Sequence, residues 1–141
     1  MKKIHFYFIE RQPTIRHRKK LKAFIEELFS HENKRLSALS YIICSDEYLL
    51  EINRKFLKHD FYTDVITFDL SSSKTDIEGE IYLSVDRIKE NAKTEAVSFQ
   101  EELHRVIFHG ALHLCGYKDK KSSEINLMRA TEQKYLDLYF K

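Results

Sequence analysis

Residues 99–124 read FQEELHRVIFHGALHLCGYKDKKSSE, and this stretch decides the fold. On a helix turning about 100° per residue, Phe99, Leu103, Val106, Ile107, Gly110 and Leu114 fall on one side, with Phe108 and Leu112 on the back. The spacing predicts a helix over 98–115 that is buried on much of its circumference. His109 and His113 stand one turn apart at the edge of the apolar stripe, so two imidazoles can grip a single metal ion, the geometry of zinc helices. Gly116 suits a left-handed helix terminus, after which the chain can turn back and present Asp119 to the same point. The pattern is H-x-x-x-H-x-x-G-x-x-D. Two nitrogens and a carboxylate oxygen leave a coordination position open for water, as a catalytic site requires. Each part has a plainer reading too: core or surface histidines, an ordinary C-cap glycine, an aspartate capping the last helix. The combined spacing favours metal.

Outward from this helix, residues 4–9 (IHFYFI) read as a strand and 14–30 as an amphipathic helix burying Leu21, Phe24, Ile25 and Leu28. Residues 38–44 read as a second strand, and Ser45 or Asp46 offers an N-cap oxygen to a helix burying Leu49, Leu50, Ile52 and Phe56. Strands over 64–70 and 80–84 flank a polar hairpin loop, SSSKTDIEG, and Ser84 can cap a helix running to Ala96. A last helix begins at Ser122 or Ser123. Strands joined through helices predict parallel pairs, and the hairpin adds an antiparallel one. The expected class is α+β (α/β-like): a small mixed sheet of about four strands with packed helices, one of them a zincin-like metal helix. One domain is expected over 1–141.

Composition narrows the function. Of 141 residues, three are glycines, and Gly79, Gly110 and Gly116 are too scattered to form a phosphate-binding loop. Two cysteines, Cys44 and Cys115, make no disulfide framework and fit a reducing cytosol. Cys115 draws notice only because it lies beside the histidines. The N-terminal apolar stretch is short and broken by charge, which predicts neither a secretory signal nor a membrane span, and hence a cytoplasmic protein. Net charge is +2, but residues 1–22 hold eight Lys and Arg against Glu10 alone, a local +7 that leaves −5 for the rest. The stripe Arg16–Lys22 is either a phosphate contact or, more simply, a solvated helix face. Zinc peptidases of the H-E-x-x-H type place their general base after the first histidine, where this chain has Gly110. A mid-helix glycine costs about 1 kcal/mol against alanine, so either substrate approaches the backbone there or another backbone presses close.

The block His109-Gly110-Ala111-Leu112-His113-Leu114-Cys115-Gly116-Tyr117 resembles the HGxLHLxGY signature of the YbeY-type bacterial rRNA-maturation endoribonucleases. Thr63-Asp64-Val65-Ile66-Thr67-Phe68 is similar to that family's TDVLSF strand, and Gly79-Glu80-Ile81 to its GDI hairpin. The resemblance implies a single-strand-specific, metal-dependent endoribonuclease acting in small-subunit rRNA 3′-end maturation and ribosome quality control. It implies one divalent ion per chain, usually zinc, on His109, His113 and Asp119, with partners in single-stranded rRNA and the small subunit or its proteins. Most members carry His at the third ligand position; carboxylate there makes the metal a weaker Lewis acid. Members also commonly carry an arginine where this chain has Leu57, and Glu80 replaces Asp. Lys58, His59, Lys118 and Lys120 are candidate RNA-backbone contacts, and Tyr62 and Tyr117 candidate stacking surfaces. No residue presents itself as general base. Glu102 lies on the histidine side, two turns earlier, where solvent exposure is expected. The rival readings are a zincin-like peptidase, a non-catalytic ribosome-assembly factor with a structural metal, and, weakest, an iron(II) oxygenase.

Overall fold

In the computed structural model, which describes residues 3–141, four strands and five helices follow one another in the predicted order. They are β1 (Ile4–Ile9), α1 (Arg18–His31), β2 (Arg35–Cys44), α2 (Asp46–Leu57), β3 (Val65–Asp69), β4 (Asp76–Ser84), α3 (Val85–Glu95), α4 (Phe99–Leu114) and α5 (Ser122–Phe140). The sheet order is β1-β2-β4-β3, with β1, β2 and β4 parallel and β3 antiparallel to β4. The mixed α+β class is as expected.

Alternation along the strands sorts their side chains onto two faces. Leu39, Tyr41 and Ile43 of β2 join Ile77, Ile81 and Leu83 of β4 in the main core, which α1, α4 and α5 complete. The opposite face gathers Cys44 and Ile66 against Leu49 of α2. Serine caps set three helix starts: Ser45, Ser84 and Ser98 accept from the backbone N–H of Tyr48, Arg87 and Glu101.

The largest departures from the expected boundaries are at α1 and β4. Helix α1 begins at Arg18, because His17 is left-handed (φ 53°) and residues 14–17 cross as a loop whose Thr14 carbonyl accepts from the Gln100 amide at 2.9 Å. Strand β4 reaches back to Asp76, into the expected hairpin loop, because Asp76 and Ile77 pair with Arg35 and Leu36 of β2.

The mid-helix glycine has a packing cause. A Cβ on Gly110 would sit 2.7 Å from Ile81 Cγ2, and one on Gly79 would sit 2.8 Å from Leu114 Cδ1. Helix α4 and strand β4 therefore each carry a glycine opposite a large residue of the other, which draws helix and sheet together. Substrate approach at Gly110 is ruled out by its burial under the sheet. Burial also pushes both free thiols, Cys44 and Cys115, up to about 12, with nearby carboxylates adding to the effect, so neither is a poised nucleophile. Among the described residues, no helix is long and apolar enough to cross a membrane.

Candidate metal centre

The end of α4 is built as the glycine predicts. Gly116 has φ +107°, its N–H donates to the His113 carbonyl, and the Tyr117 N–H donates to the Leu112 carbonyl, both at 3.0 Å. This is a Schellman closure, and it reverses the chain within three residues of His113. Asp119 then returns over the helix, its Oδ2 lying 3.2 Å from His113 Nε2 and 3.4 Å from His109 Nε2. One ligand atom from each of His109, His113 and Asp119 lies within 4.8 Å of the others.

The far side of each ring fixes which nitrogen faces Asp119. His113 Nδ1 lies 2.9 Å from the Tyr117 carbonyl, which only accepts, so Nδ1 carries the hydrogen and, in the neutral ring, Nε2 is the lone pair. His109 Nδ1 lies 2.5 Å from Glu132 Oε2. Burial works against charge on Glu132, but the hydrogen bond and charge of His109, together with Arg105, prevail and hold its carboxyl below the usual range. An ionised Glu132 accepts, so His109 Nδ1 donates, and once the ring is neutral Nε2 is the lone pair turned to Asp119. With both rings neutral, two imidazole lone pairs and a carboxylate oxygen converge with no donor among them. They repel unless a cation or proton lies between, and this nitrogen–oxygen set suits a divalent transition ion. The residues fit the metal.

Behind His109 runs a chain of buried charges. Glu132 is 1% exposed and Glu102 2%. Arg105 bridges them, Nη1 to Glu132 Oε1 at 3.0 Å and Nε to Glu102 Oε1 at 3.0 Å. Burial opposes charge on Arg105, yet the two carboxylates raise its pKa further. Glu102 is therefore not solvent-exposed, contrary to expectation: it is buried because Arg105 forks onto it. Hydrogen bonding to the Nδ1 of a ligating histidine fixes ring orientation and raises its basicity.

The centre floors an open cleft of about 780 Å³. On one side lie the end of α2 and the loop after it, with Leu57, His59 and Phe61, and on another the start of α5, with Ile125, Met128 and Arg129. Of the residues proposed from sequence, His59 and Lys120 line this cleft, whereas Lys58 and Lys118 are not among its lining residues. Lys58 instead caps α2 in a left-handed conformation. Tyr117 donates to Glu32 at 2.9 Å, and Tyr62 lies outside the cleft with its hydroxyl on Glu47 and Arg87 over its ring. The residues that sequence reasoning missed are Arg105, Glu132, Arg129 and Phe61. Glu132 left one trace: it falls on the buried stripe of α5, between Met128 and Tyr135, where a carboxylate needs a partner.

Comparison with known proteins gives the family. The family described as Endoribonuclease YbeY matches residues 8–139. An Endoribonuclease YbeY of Cytophaga hutchinsonii is 47% identical over 135 residues, covering 96% of this chain and 94% of that protein. One of Porphyromonas gingivalis is 44% identical over 137 residues, covering 96% and 89%. The solution structure of a Thermotoga maritima protein superposes with a TM-score of 0.66 at 29% identity, covering 96% of this chain and 89% of that one. With the family matched along nearly its whole length and the signature histidines facing one cleft, this chain belongs to the Endoribonuclease YbeY family.

Proposed function

We propose that this chain is a metal-dependent endoribonuclease that cuts single-stranded RNA in the cleft above His109 and His113. The observation that carries the reading is the convergence of His109 Nε2, His113 Nε2 and Asp119 Oδ2 in an open groove. Zinc is the ion we assign to these three residues. Bound there, such an ion would supply Lewis acidity and make a coordinated water more acidic than bulk water. The protein's own groups hold the ligands in register: Glu132 and the Tyr117 carbonyl fix the two rings, and the Gly116 turn brings Asp119 over them.

RNA needs cations as well as a metal. Arg105 lines the cleft, but its guanidinium is committed to Glu102 and Glu132. Phosphate contacts therefore fall to Lys120 and to Arg129, both exposed on the α5 side. This wall takes the part that an arginine at position 57 would take on the opposite one. The small-subunit ribosomal RNA 3′ end is the substrate we assign within this class, with the small subunit as its setting and the cytoplasm as its place. Peptide hydrolysis lacks its usual base, since Gly110 stands where the H-E-x-x-H motif has its glutamate.

The test compares wild type with Asp119→Ala and His113→Ala by elemental analysis and a single-stranded RNA cleavage assay. Wild type should carry one divalent ion per chain and cleave, and both variants should lose ion and cleavage together. Wild type without stoichiometric metal, or variants that cleave normally, would refute the proposal.

A further inference from the structure

We infer that His59 and Phe61 form a nucleobase subsite, a stacking step for one unpaired base of RNA lying in the cleft; this rests on the ribonuclease reading above. Phe61 is 55% exposed although it is a large apolar side chain. Its ring stacks on His59 with centroids 5.1 Å apart and planes 21° off parallel, and both residues line the cleft.

The pair is held in place rather than left loose. Asn53, buried in α2, donates its amide to the Phe61 carbonyl at 2.8 Å and accepts the His59 N–H on its own carbonyl at 3.1 Å. Between the two rings, Asp60 is tied to Arg54. A loop anchored at both aromatic positions presents a preformed flat surface, which lowers the ordering cost of adding a further ring.

Phosphate and base thus have separate places. Arg129 and Lys120 border the same cleft from the α5 side, and the aromatic step borders it from the α2 side. A strand whose phosphates meet the cations and the metal can turn a base towards Phe61. Every base has a π-face, so such a step tolerates any sequence, but a base paired and stacked within a duplex has no face to offer. Single-strand preference then follows from the step and needs no base-edge recognition. Tyr62 and Tyr117, the stacking candidates of the sequence, leave this role to Phe61.

Binding of a short 2′-O-methyl oligonucleotide to the full chain tests the inference, with wild type, Phe61→Ala, Phe61→Trp and His59→Ala compared. A second set of oligonucleotides carries one abasic position, moved along the strand. Phe61→Ala should weaken binding by about 5- to 150-fold, the range of base–aromatic stacking, while Phe61→Trp stays near wild type. At one position the abasic strand should bind wild type as weakly as the intact strand binds Phe61→Ala, with no further loss on combining the two. His59→Ala should give a smaller loss in the same direction. Circular dichroism and the thermal midpoint confirm folding, and Phe61→Trp guards against a misfolded alanine variant. The subsite is refuted if Phe61→Ala binds like wild type, or if it weakens every abasic strand as much as the intact one; cleavage of unmodified RNA then shows the ribonuclease reading intact. If wild type neither binds nor cleaves single-stranded RNA, both fail together.

Discussion

Replacing Glu132 by Gln isolates what the buried charge chain does for the metal site. The side chain keeps its shape, but one acceptor becomes a donor. Glu132 faces His109 Nδ1 at 2.5 Å and Arg105 Nη1 at 3.0 Å, both of which donate. A glutamine can turn its oxygen to only one of them, and its NH₂ then meets a donor on the other. The residue is 1% exposed, so water cannot repair the mismatch. A buried unsatisfied donor costs about 1–3 kcal/mol, and removing one partner of a buried ion pair costs about 3–5 kcal/mol. The two overlap here, because Arg105 retains Glu102, and about 3 kcal/mol is the expected loss of stability. For a chain of this length that lowers Tm by roughly 6–12 °C. Loss of the carboxylate behind a ligating histidine should also weaken metal binding about 10- to 100-fold. Thermal melts of the metal-free protein measure the first effect, and competition with a chromophoric chelator well below Tm measures the second. A purely structural role would lower Tm and leave the metal Kd unchanged. That outcome would refute the positioning role, and an unchanged Tm would refute the electrostatics.

Three further outcomes follow from the fold and its titratable groups. Gly110→Ala should destabilise by about 1–3 kcal/mol through overpacking against Ile81, less up to about 1 kcal/mol of helix propensity; Ile81→Ala in the same chain should couple favourably in a double-mutant cycle, and additivity would exclude the contact. Gly116→Ala meets no neighbouring atom but forces a side chain to φ +107°, so it should cost about 1–2 kcal/mol in a melt and weaken metal binding through Asp119. Burial holds His104 below its ordinary pKa of 6.5, against the opposing effect of the Gln100 carbonyl, and Lys20 lowers it further. The unfolded chain then binds more protons than the folded one below pH 6.5, so stability is full above that value and falls as pH drops through it; urea midpoints for wild type should fall from pH 7 to 5.5, and His104→Phe should flatten that slope.

The elements legible in the sequence are those fixed by local chemistry. Ser45 and Ser84 cap because a hydroxyl two or three residues before a free N–H needs nothing else. Gly116 ends α4 for an equally local reason, and with it the place of Asp119 was readable. What escaped depends on remote partners. The start of β4 at Asp76 is set by pairing with Arg35, in a stretch too polar to announce a strand. The cause of Gly110 lay in Ile81, on another element, so sequence alone left two explanations open.

Glu102 shows why the charge chain was invisible. A lone glutamate on a helix belongs in water, and only Arg105 with Glu132, from a helix later in the chain, makes its burial tolerable. Once the chain is in view, it gives a reason for a carboxylate at Asp119 in the proposed site. Glu102 and Glu132 against Arg105 leave one negative charge behind His109, and Asp119 adds another in front of it. The divalent ion proposed for this site would bring the cluster to neutrality, so an aspartate at that position matches the charge such an ion carries. The same balance has a chemical consequence. A site already neutralised by carboxylates withdraws less electron density from bound water than one built of neutral ligands alone, and its water stays less acidic. Substituting His for Asp119 should therefore keep the ion while making its water the stronger acid, shifting the acid limb of the cleavage–pH profile downward; an unchanged profile would show that the carboxylate does not set the metal's acidity.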